Sequence, residues 1–449
     1  MKLFSKAEGW RRRAGLPDRA QATMVPRTDG IPQPTGPRGL IIWLLLAIFL
    51  VRAFIYASFI PPWQGPDEPL HYDYARYLQL NKKLPVLGQT VLSQRTRLSL
   101  VSFYFDDFVK GKSPYASRKS LNPKEIKIIK QVSKPSEAKQ NQIVQHPPLY
   151  YFIVASILFL LKNSSLLTTI WLLRMLSALL GLGVLILTYL TVDLLFEKNK
   201  LPAIGAAAFV ALNPMFAHIT TVINNDSLTN FLFALFLFLL VKSIKKGLTN
   251  KDAFLLGAVI GLGLLTKFFF VLTLPLLILA FWLFRKTLEL SYRKISLTFL
   301  LPLVLAGGYY LRNINLYGTL QPAYRFFSQG IYKNLPFSDF LINFGRTFFI
   351  SFWSNFGWQK PTFVKSYNVA IFLVCLLAFV GLIKYLFSLY RRKDLLKLKT
   401  LGLLMFAPFL LTTAIIFYAY KEVKISGLLQ GVQGRYLFSF IGLTGLFLF

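Results

Sequence analysis

The chain has 449 residues, of which 55% are hydrophobic and 15% charged, and its mean hydropathy is +0.52. Soluble domains carry about a quarter charged residues, so an ordinary soluble protein is excluded, and repeated apolar runs of about 20 residues point to a polytopic helical membrane protein. The net charge of +33 lies in loops between those runs, where orientation and contact with anionic headgroups account for it more simply than nucleic-acid binding does.

Taken in chain order, residues 1–37 are polar, carry Arg11–Arg13 with several Pro and Gly, and read as a disordered basic cytoplasmic tail. Residues 38–449 read as one transmembrane domain. Leu40–Ile60 is a first span, too long for a signal-peptide core and therefore an uncleaved anchor. Its positive N-terminal flank places the far end of the span, and the loop after it, on the outer face. The span empties into PPWQGPDEPLHYDYAR, Pro61–Arg76. Pro66 favours an extended entry and Pro69 fits a first helical turn. Asp67, His71 and Tyr74 recur at i, i+4 and i+7 and share one helical face. The adjacent carboxylates Asp67 and Glu68, with a histidine on the same face just above a membrane, suit general acid/base work. Equally, Asp67 fits a plain N-cap, and the residues leave the two readings even.

The outer loop runs over 61–146. Its lysines include Lys124, Lys127, Lys130, Lys134 and Lys139. The positive-inside rule is weak for loops beyond about 60 residues. Lys124–Ser133 reads as a second amphipathic helix on the membrane surface, with Ile126, Ile129 and Val132 on its apolar face; Asp106-Asp107 reads as solvated. Leu149–Leu161 is short of the roughly 17–25 residues that a span needs, so a re-entrant or interfacial helix is expected. That choice fixes the side of everything later. If the segment crossed, Asp226 and Asp67 would fall on opposite faces.

The remaining passes alternate. Leu166–Phe196 runs inward, Leu201–Ile223 outward, and Leu228–Leu240 inward to Lys242, Lys245 and Lys246. Ala253–Phe284 carries charge at both ends and is split in two with an outward turn near Lys267. Ile295–Leu311 runs outward. Ser351–Trp358, SFWSNFGW, is an aromatic interfacial segment. Val369–Tyr390 runs inward, Leu401–Tyr420 outward, and a last span comes after Gln433-Gly434-Arg435. The fold class is therefore all-α, a bundle of roughly ten spans. The chain stops in apolar sequence at Phe449, as a record that ends early would. The single Cys375 lies in an apolar run, which leaves no disulfide framework and no thiolate metal site.

This topology gathers Asp67, Glu68, His71, His146, Asp226, Lys267, Arg312 and Arg435 at the outer membrane boundary, with Arg174 one to two turns into its span from the same side. Ionisable groups within spans default to functional hypotheses. Each has a blander reading: snorkelling for Arg174 and Lys267, a helix start for Asp226 and His146, lipid-phosphate contact for Arg312 and Arg435. His218 reads as a satisfied core residue. Together, carboxylates suit deprotonation of an acceptor hydroxyl and the cations suit a phosphate leaving group. A lipid tail would hold that phosphate at the headgroup plane. The combination describes sugar transfer from a polyprenyl-phosphate carrier.

The motifs, in their order, resemble the C-superfamily (GT-C) of multi-pass glycosyltransferases, which includes protein O-mannosyltransferases and lipid A aminoarabinose transferases. The matching pieces are Asp67-Glu68, HPPLYY at His146–Tyr151, RMLSALLG at Arg174–Gly181, NNDSL at Asn224–Leu228, LLTK at Leu264–Lys267 and LRNINLYG at Leu311–Gly318. SFWSNFGW and QGRYLF, Gln433–Phe438, look like one uncharacterised branch. The resemblance runs from about Ile41 to the end. It implies an outward-facing site, a lipid-linked donor and an inverting transfer. By that likeness Asp67 is the base, supported by Glu68 or Asp226; Arg174, Lys267, Arg312 and Arg435 contact the donor phosphate; and His71, His146 and Tyr74 contact acceptor or donor. Some relatives use a divalent metal, Mg or Mn, and others none; Asp67, Glu68 and Asp226 would be the ligands here if one is used. The implied partners are membrane lipids and the polyprenyl-phosphate sugar, with no nucleic acid, at the plasma membrane; sugar and acceptor stay open. Two rival classes are a lipid or polysaccharide transporter, which calls for charges at mid-span on several helices, and a non-catalytic scaffold.

Overall fold

The structure, a computed structural model, describes residues 37–103, 140–197, 199–323, 335–357, 364–427, 429 and 431–448. The amphipathic helix expected at Lys124–Ser133, the Asp106-Asp107 pair, Trp358 and nearly all of the 1–37 tail lie outside those residues. By contact the chain divides into Met1–Leu40 and Ile41–Phe449. The first unit contributes, among the described residues, only the opening turn of a helix.

All regular structure in the described residues is helical, apart from one isolated bridge between Val91 and Gln140. Helix α1 (Pro37–Phe59) leads into α2 (Glu68–Asn81) and α3 (Gln94–Ser102). Then come α4 (Leu149–Leu160), α5 (Leu166–Phe196), α6 (Leu201–Leu212), α7 (Pro214–Ile219), α8 (Asp226–Lys246) and α9 (Asn250–Leu264). After a 3-10 turn at Phe268–Leu272 the chain continues as α10 (Thr273–Leu283), α11 (Tyr292–Tyr317), α12 (Phe337–Trp353), α13 (Lys365–Arg391) and α14 (Leu395–Ser426). A 3-10 segment, Gly434–Phe440, ends in α15 (Ile441–Leu448).

Six helices, α1, α5, α8, α11, α13 and α14, are long and apolar enough to cross a bilayer; Leu149–Leu160, Leu201–Leu212, Phe268–Leu283 and Gly434–Leu448 are apolar but shorter. The chain is an integral membrane protein of the all-α polytopic class. Local chemistry sets the boundaries. Ser165, Asn213 and Thr249 accept hydrogen bonds from the backbone N–H groups of Thr168, Phe216 and Asp252 and so start α5, α7 and α9. Gly318 and Gly427, both at φ 67, close α11 and α14 in the left-handed conformation. The α13 surface is apolar and exposed along its length, as a lipid-facing helix must be.

Two helices lie side by side at one end of the bundle. His71 and Gln79 on α2 meet Tyr151 and Leu158 on α4: His71 Nδ1 is 2.9 Å from the Tyr151 hydroxyl, and Gln79 Nε2 donates to the Leu158 carbonyl at 2.9 Å. A helix of twelve residues is about 18 Å long and cannot cross about 30 Å of hydrocarbon. Arg174, in the third turn of α5, reaches the carbonyls of Ala57, Ile60 and Pro61 at the end of α1. The chain thus enters and leaves α4 at the end of the bundle where α1 stops.

Candidate active site

Asp67 occupies the N-cap position of α2, yet it does not cap. Its backbone is left-handed at φ 58, and its side chain makes no bond to the first-turn N–H groups. Left-handed backbone is uncommon outside glycine, and Asp and Asn are the residues that tolerate it best. Trp63, in the same turn, is also at positive φ (67). The turn is fixed by burial. Trp63 is fully enclosed, packs on Tyr72 at 5.4 Å, and donates its indole N–H to Ser99 at 3.0 Å. Asp73 ties α2 to α3 by accepting from the Ser93 N–H and hydroxyl and from the Thr96 hydroxyl.

Glu68 and Arg174 correct the sequence-based expectation. Glu68 is completely buried. Its Oε1 accepts from Arg174 Nε at 2.8 Å and from the Ile223 N–H at 3.2 Å. Its Oε2 accepts from Arg174 Nη2 at 2.7 Å and from the Trp63 N–H at 3.1 Å. Arg174 spends its other N–H groups on the carbonyls of Ala57, Ile60 and Pro61. A guanidinium has five N–H donors and a carboxylate about four acceptor sites, so this pair is saturated. Arg174 has no N–H left for a donor phosphate, and Glu68 has no lone pair left for supporting Asp67. The pair instead pins the Asp67 turn between α1, α5 and the loop before α8.

Around Asp67 the structure assembles Arg435, Asp226 and Lys267. Lys267 Nζ bonds Asp226 Oδ1. Arg435 lies between the carboxylates, with Nη2 at 3.6 Å from Asp67 Oδ2 and Nε at 3.7 Å from Asp226 Oδ2. Those separations are ion-pair distances but too long for hydrogen bonds. Arg435 Nε is buried and, among the described residues, has no hydrogen-bond partner. Asp67 keeps 23% of its side chain accessible, against 10% for Asp226. Desolvation raises the Asp67 carboxyl above its ordinary range; Arg435 opposes this and Asp226 adds to it.

Each member is delivered by a break in helical structure. Lys267 follows the end of α9, and the free carbonyls there are taken by other elements. Tyr310 donates to Leu264 O at 2.7 Å, the Leu149 N–H to Leu265 O at 2.9 Å, and Asn225 to Thr266 O at 3.3 Å. The expected split near Lys267 is this break. Asp226 opens α8, and Asn224, rather than Asp226, accepts from the Ser227 N–H at 3.0 Å. Arg435 follows Gly434, whose N–H donates to Ser351 at 2.7 Å. A Cβ on Gly434 would run into the Phe348 carbonyl and the Phe352 backbone, so glycine is needed for this close approach.

His71 and His146 lie next to this cluster, their rings stacked at 6.4 Å. Burial lowers both pKa values, helped at His146 by the Lys267 charge, so both imidazoles are neutral at neutral pH. Tyr74 stacks on Tyr151 at 3.8 Å. Arg312 is not brought to the carboxylates. It donates to the Pro85 carbonyl at 3.0 Å and belongs with Tyr309 and Tyr317 to the surroundings of Tyr74. His218 is a buried acceptor for the Gly357 N–H at 3.1 Å. Sequence reasoning missed Tyr436, whose ring lies 5.0 Å from Lys267 Nζ, and Tyr151, which joins His71 to Tyr74. Both stand inside sequence motifs, QGRYLF and HPPLYY, which was the available signal.

The carboxylate set Asp67, Glu68 and Asp226 does not fit a divalent metal, because Glu68 is committed to Arg174 while Asp226 is paired with Lys267. Among the described residues no group of three or more His, Cys, Asp or Glu is arranged to hold a metal ion.

Residues 34–444 match the family described as "Predicted membrane protein (DUF2142)". Among solved structures the chain is similar to the crystal structure of ArnT from Cupriavidus metallidurans bound to undecaprenyl phosphate, at 15% identity and a TM-score of 0.47. That similarity covers 92% of this chain and 60% of the other, so this chain spans less than two thirds of that protein's length. No curated protein matches the chain by sequence.

Proposed function

We propose that this chain, which belongs to the DUF2142 family of predicted membrane proteins, transfers a sugar from a polyprenyl-phosphate carrier to a hydroxyl-bearing acceptor at the outer face of the plasma membrane. The observation that carries this reading is the state of Asp67. Its carboxylate is partly open, makes no capping bond, stands on a left-handed backbone, and faces a buried arginine whose Nε has no hydrogen-bond partner among the described residues. Strained backbone that the surroundings enforce is a mark of functional sites.

In the proposed reaction Asp67 takes the acceptor's proton. The acceptor oxygen attacks the anomeric carbon as the bond to the donor phosphate oxygen breaks, with inversion. Arg435 and Lys267 face the phosphate. Asp67, Asp226, Lys267 and Arg435 carry a formal net charge of zero. Once Asp67 accepts a proton they carry one positive charge, at the moment the leaving phosphate gains one negative charge. That coupling favours the transition state over the ground state. Asp226 holds Lys267 and Arg435 in place while the phosphate is absent. His71, His146 and Tyr74, held neutral, suit hydrogen bonds to sugar hydroxyls.

The reading also takes the N-terminus as cytoplasmic and the 61–146 loop as external. It is tested by incubating the purified protein with radiolabelled polyprenyl-phosphate sugars and isolating labelled product. Turnover that Asp67→Asn leaves intact would remove Asp67 as the base, and Asp226 would then be the carboxylate to examine. Absence of product with any lipid-linked hexose or pentose would overturn the reading as a whole.

A further inference from the structure

Helix α2 has a second chemically distinct face. At about 100° per residue, Tyr72, Arg76, Gln79 and Leu80 form the stripe opposite Asp67, His71 and Tyr74. With Arg95 at the start of α3 and Lys162 between α4 and α5, they line a cleft of about 180 Å³. Three cations meet there, and among the described residues none forms an ion pair with a carboxylate. Arg76 Nε and Gln79 Oε1 are buried without a hydrogen-bond partner among the described residues, although Gln79 Nε2 is fixed on Leu158. Buried polar atoms normally find partners, and two left over in one cleft call for an explanation, which a bound molecule supplies. Here a missing acceptor is called for at Arg76 and a missing donor at Gln79.

The position of the cleft narrows the ligand. Lys162 immediately precedes the spanning helix α5, and Arg174 ties the first turns of α5 to the end of α1. The cleft therefore lies at the membrane boundary. Its rim is apolar: Leu158 and Leu161 line it, and Leu80, Phe159, Leu160 and Leu167 beside it stay exposed. A soluble anion needs only the cations. A lipid needs cations for its phosphate, an acceptor for a headgroup hydroxyl, and an apolar rim for its chains.

We infer that this cleft binds the headgroup of an anionic membrane phospholipid, at a site separate from the Asp67 cluster. The phosphate pairs with Arg76, Arg95 and Lys162, and a headgroup hydroxyl donates to Gln79 Oε1. Such a lipid would bridge α2, α3 and the α4–α5 turn. It would hold the back of the helix whose front carries Asp67.

The test is native mass spectrometry of the full chain in detergent, titrated with phosphatidylglycerol, phosphatidylcholine or inorganic phosphate. Arg95 and Lys162 are exposed, so R95Q/K162Q leaves folding intact. Arg391 and Arg392, exposed at the opposite end of the bundle, give the matched control R391Q/R392Q. At about 1 kcal/mol per cation, R95Q/K162Q is expected to weaken phosphatidylglycerol binding about 30-fold at low salt, with the control near the parent. Equal losses in both doubles would reduce the effect to bulk surface charge and overturn the site. Phosphatidylcholine binding as tightly as phosphatidylglycerol would overturn the anionic-lipid assignment, and inorganic phosphate binding as tightly would make it a soluble-anion site. None of these readouts depends on sugar transfer.

Discussion

Glu68→Gln separates structure from chemistry at the Asp67-Glu68 pair. The amide keeps the shape of the side chain, so only charge and hydrogen-bond polarity change. In the parent, each Glu68 oxygen accepts from one Arg174 N–H and one backbone N–H, from Ile223 at one oxygen and Trp63 at the other. Whichever way the amide is flipped, its NH2 group faces two donors, and the Arg174 guanidinium, 2% exposed, loses its counter-charge. Removing one partner of a buried ion pair costs about 3–5 kcal/mol, a large share of the roughly 5–15 kcal/mol that holds a protein folded. The assay is thermal unfolding in detergent alongside the yield of monodisperse protein. A clear drop in midpoint is expected, whether or not a donor is present. An unchanged midpoint together with lost transfer would refute the reasoning and return Glu68 to the chemistry.

Asp67→Asn should leave the fold intact, since Asn tolerates left-handed backbone and no capping bond exists to lose, while transfer falls about 10²–10⁴-fold; near-normal turnover would count against the base assignment. Burial raises the Asp67 pKa, so its contribution to stability is full below the ordinary carboxylate range and is lost as pH rises through the raised value. Asp67→Asn is therefore expected to be at least as stable as the parent at pH 7, and the acid limb of activity should lie above the ordinary carboxylate pKa of about 3.9. Because His71 and His146 are neutral there, no further limb is expected near pH 6.5; a histidine-like limb would show that one of them titrates in the reaction. Gly434→Ala should displace Arg435 and cost about 1–3 kcal/mol of overpacking, read as a raised donor KM with a lowered unfolding midpoint; a silent substitution would mean that Gly434 does not set Arg435. With Cys375 replaced by Ser, Thr319→Cys should react with an impermeant thiol reagent from outside intact cells and Lys246→Cys should not; the reverse pattern would invert the proposed orientation.

The chain's membrane class, its longest apolar helices and the segment too short to cross were legible because hydrophobic length against bilayer thickness is a one-dimensional property; of the roughly ten passes expected, six among the described residues are single helices long and apolar enough to cross, and the others are short or broken helices. Leu166–Phe196 was read to the residue, the short α4 was recognised as too short, and the break at Lys267 was expected from charges at both ends of a long apolar run. The gathering of Asp67, Asp226, Lys267 and Arg435 at one end also followed, since alternating passes bring every second loop to the same side. Which cation faces which carboxylate could not be read this way. Asp67 and Glu68 are adjacent, equally acidic and equally placed in sequence. Only the packing of α1, α5 and the loop before α8 buries one and leaves the other open. Arg174 and Arg435 likewise looked interchangeable. Glu68, 106 residues away, and the carbonyls at the end of α1 close around Arg174 and use all of its donors, whereas Arg435 is held at ion-pair distance with its buried Nε lacking a hydrogen-bond partner among the described residues. Sequence determines how much charge is brought to a membrane boundary. How that charge is divided between holding the fold and meeting a substrate depends on how many donors and acceptors each group finds around it, and only the tertiary structure decides that.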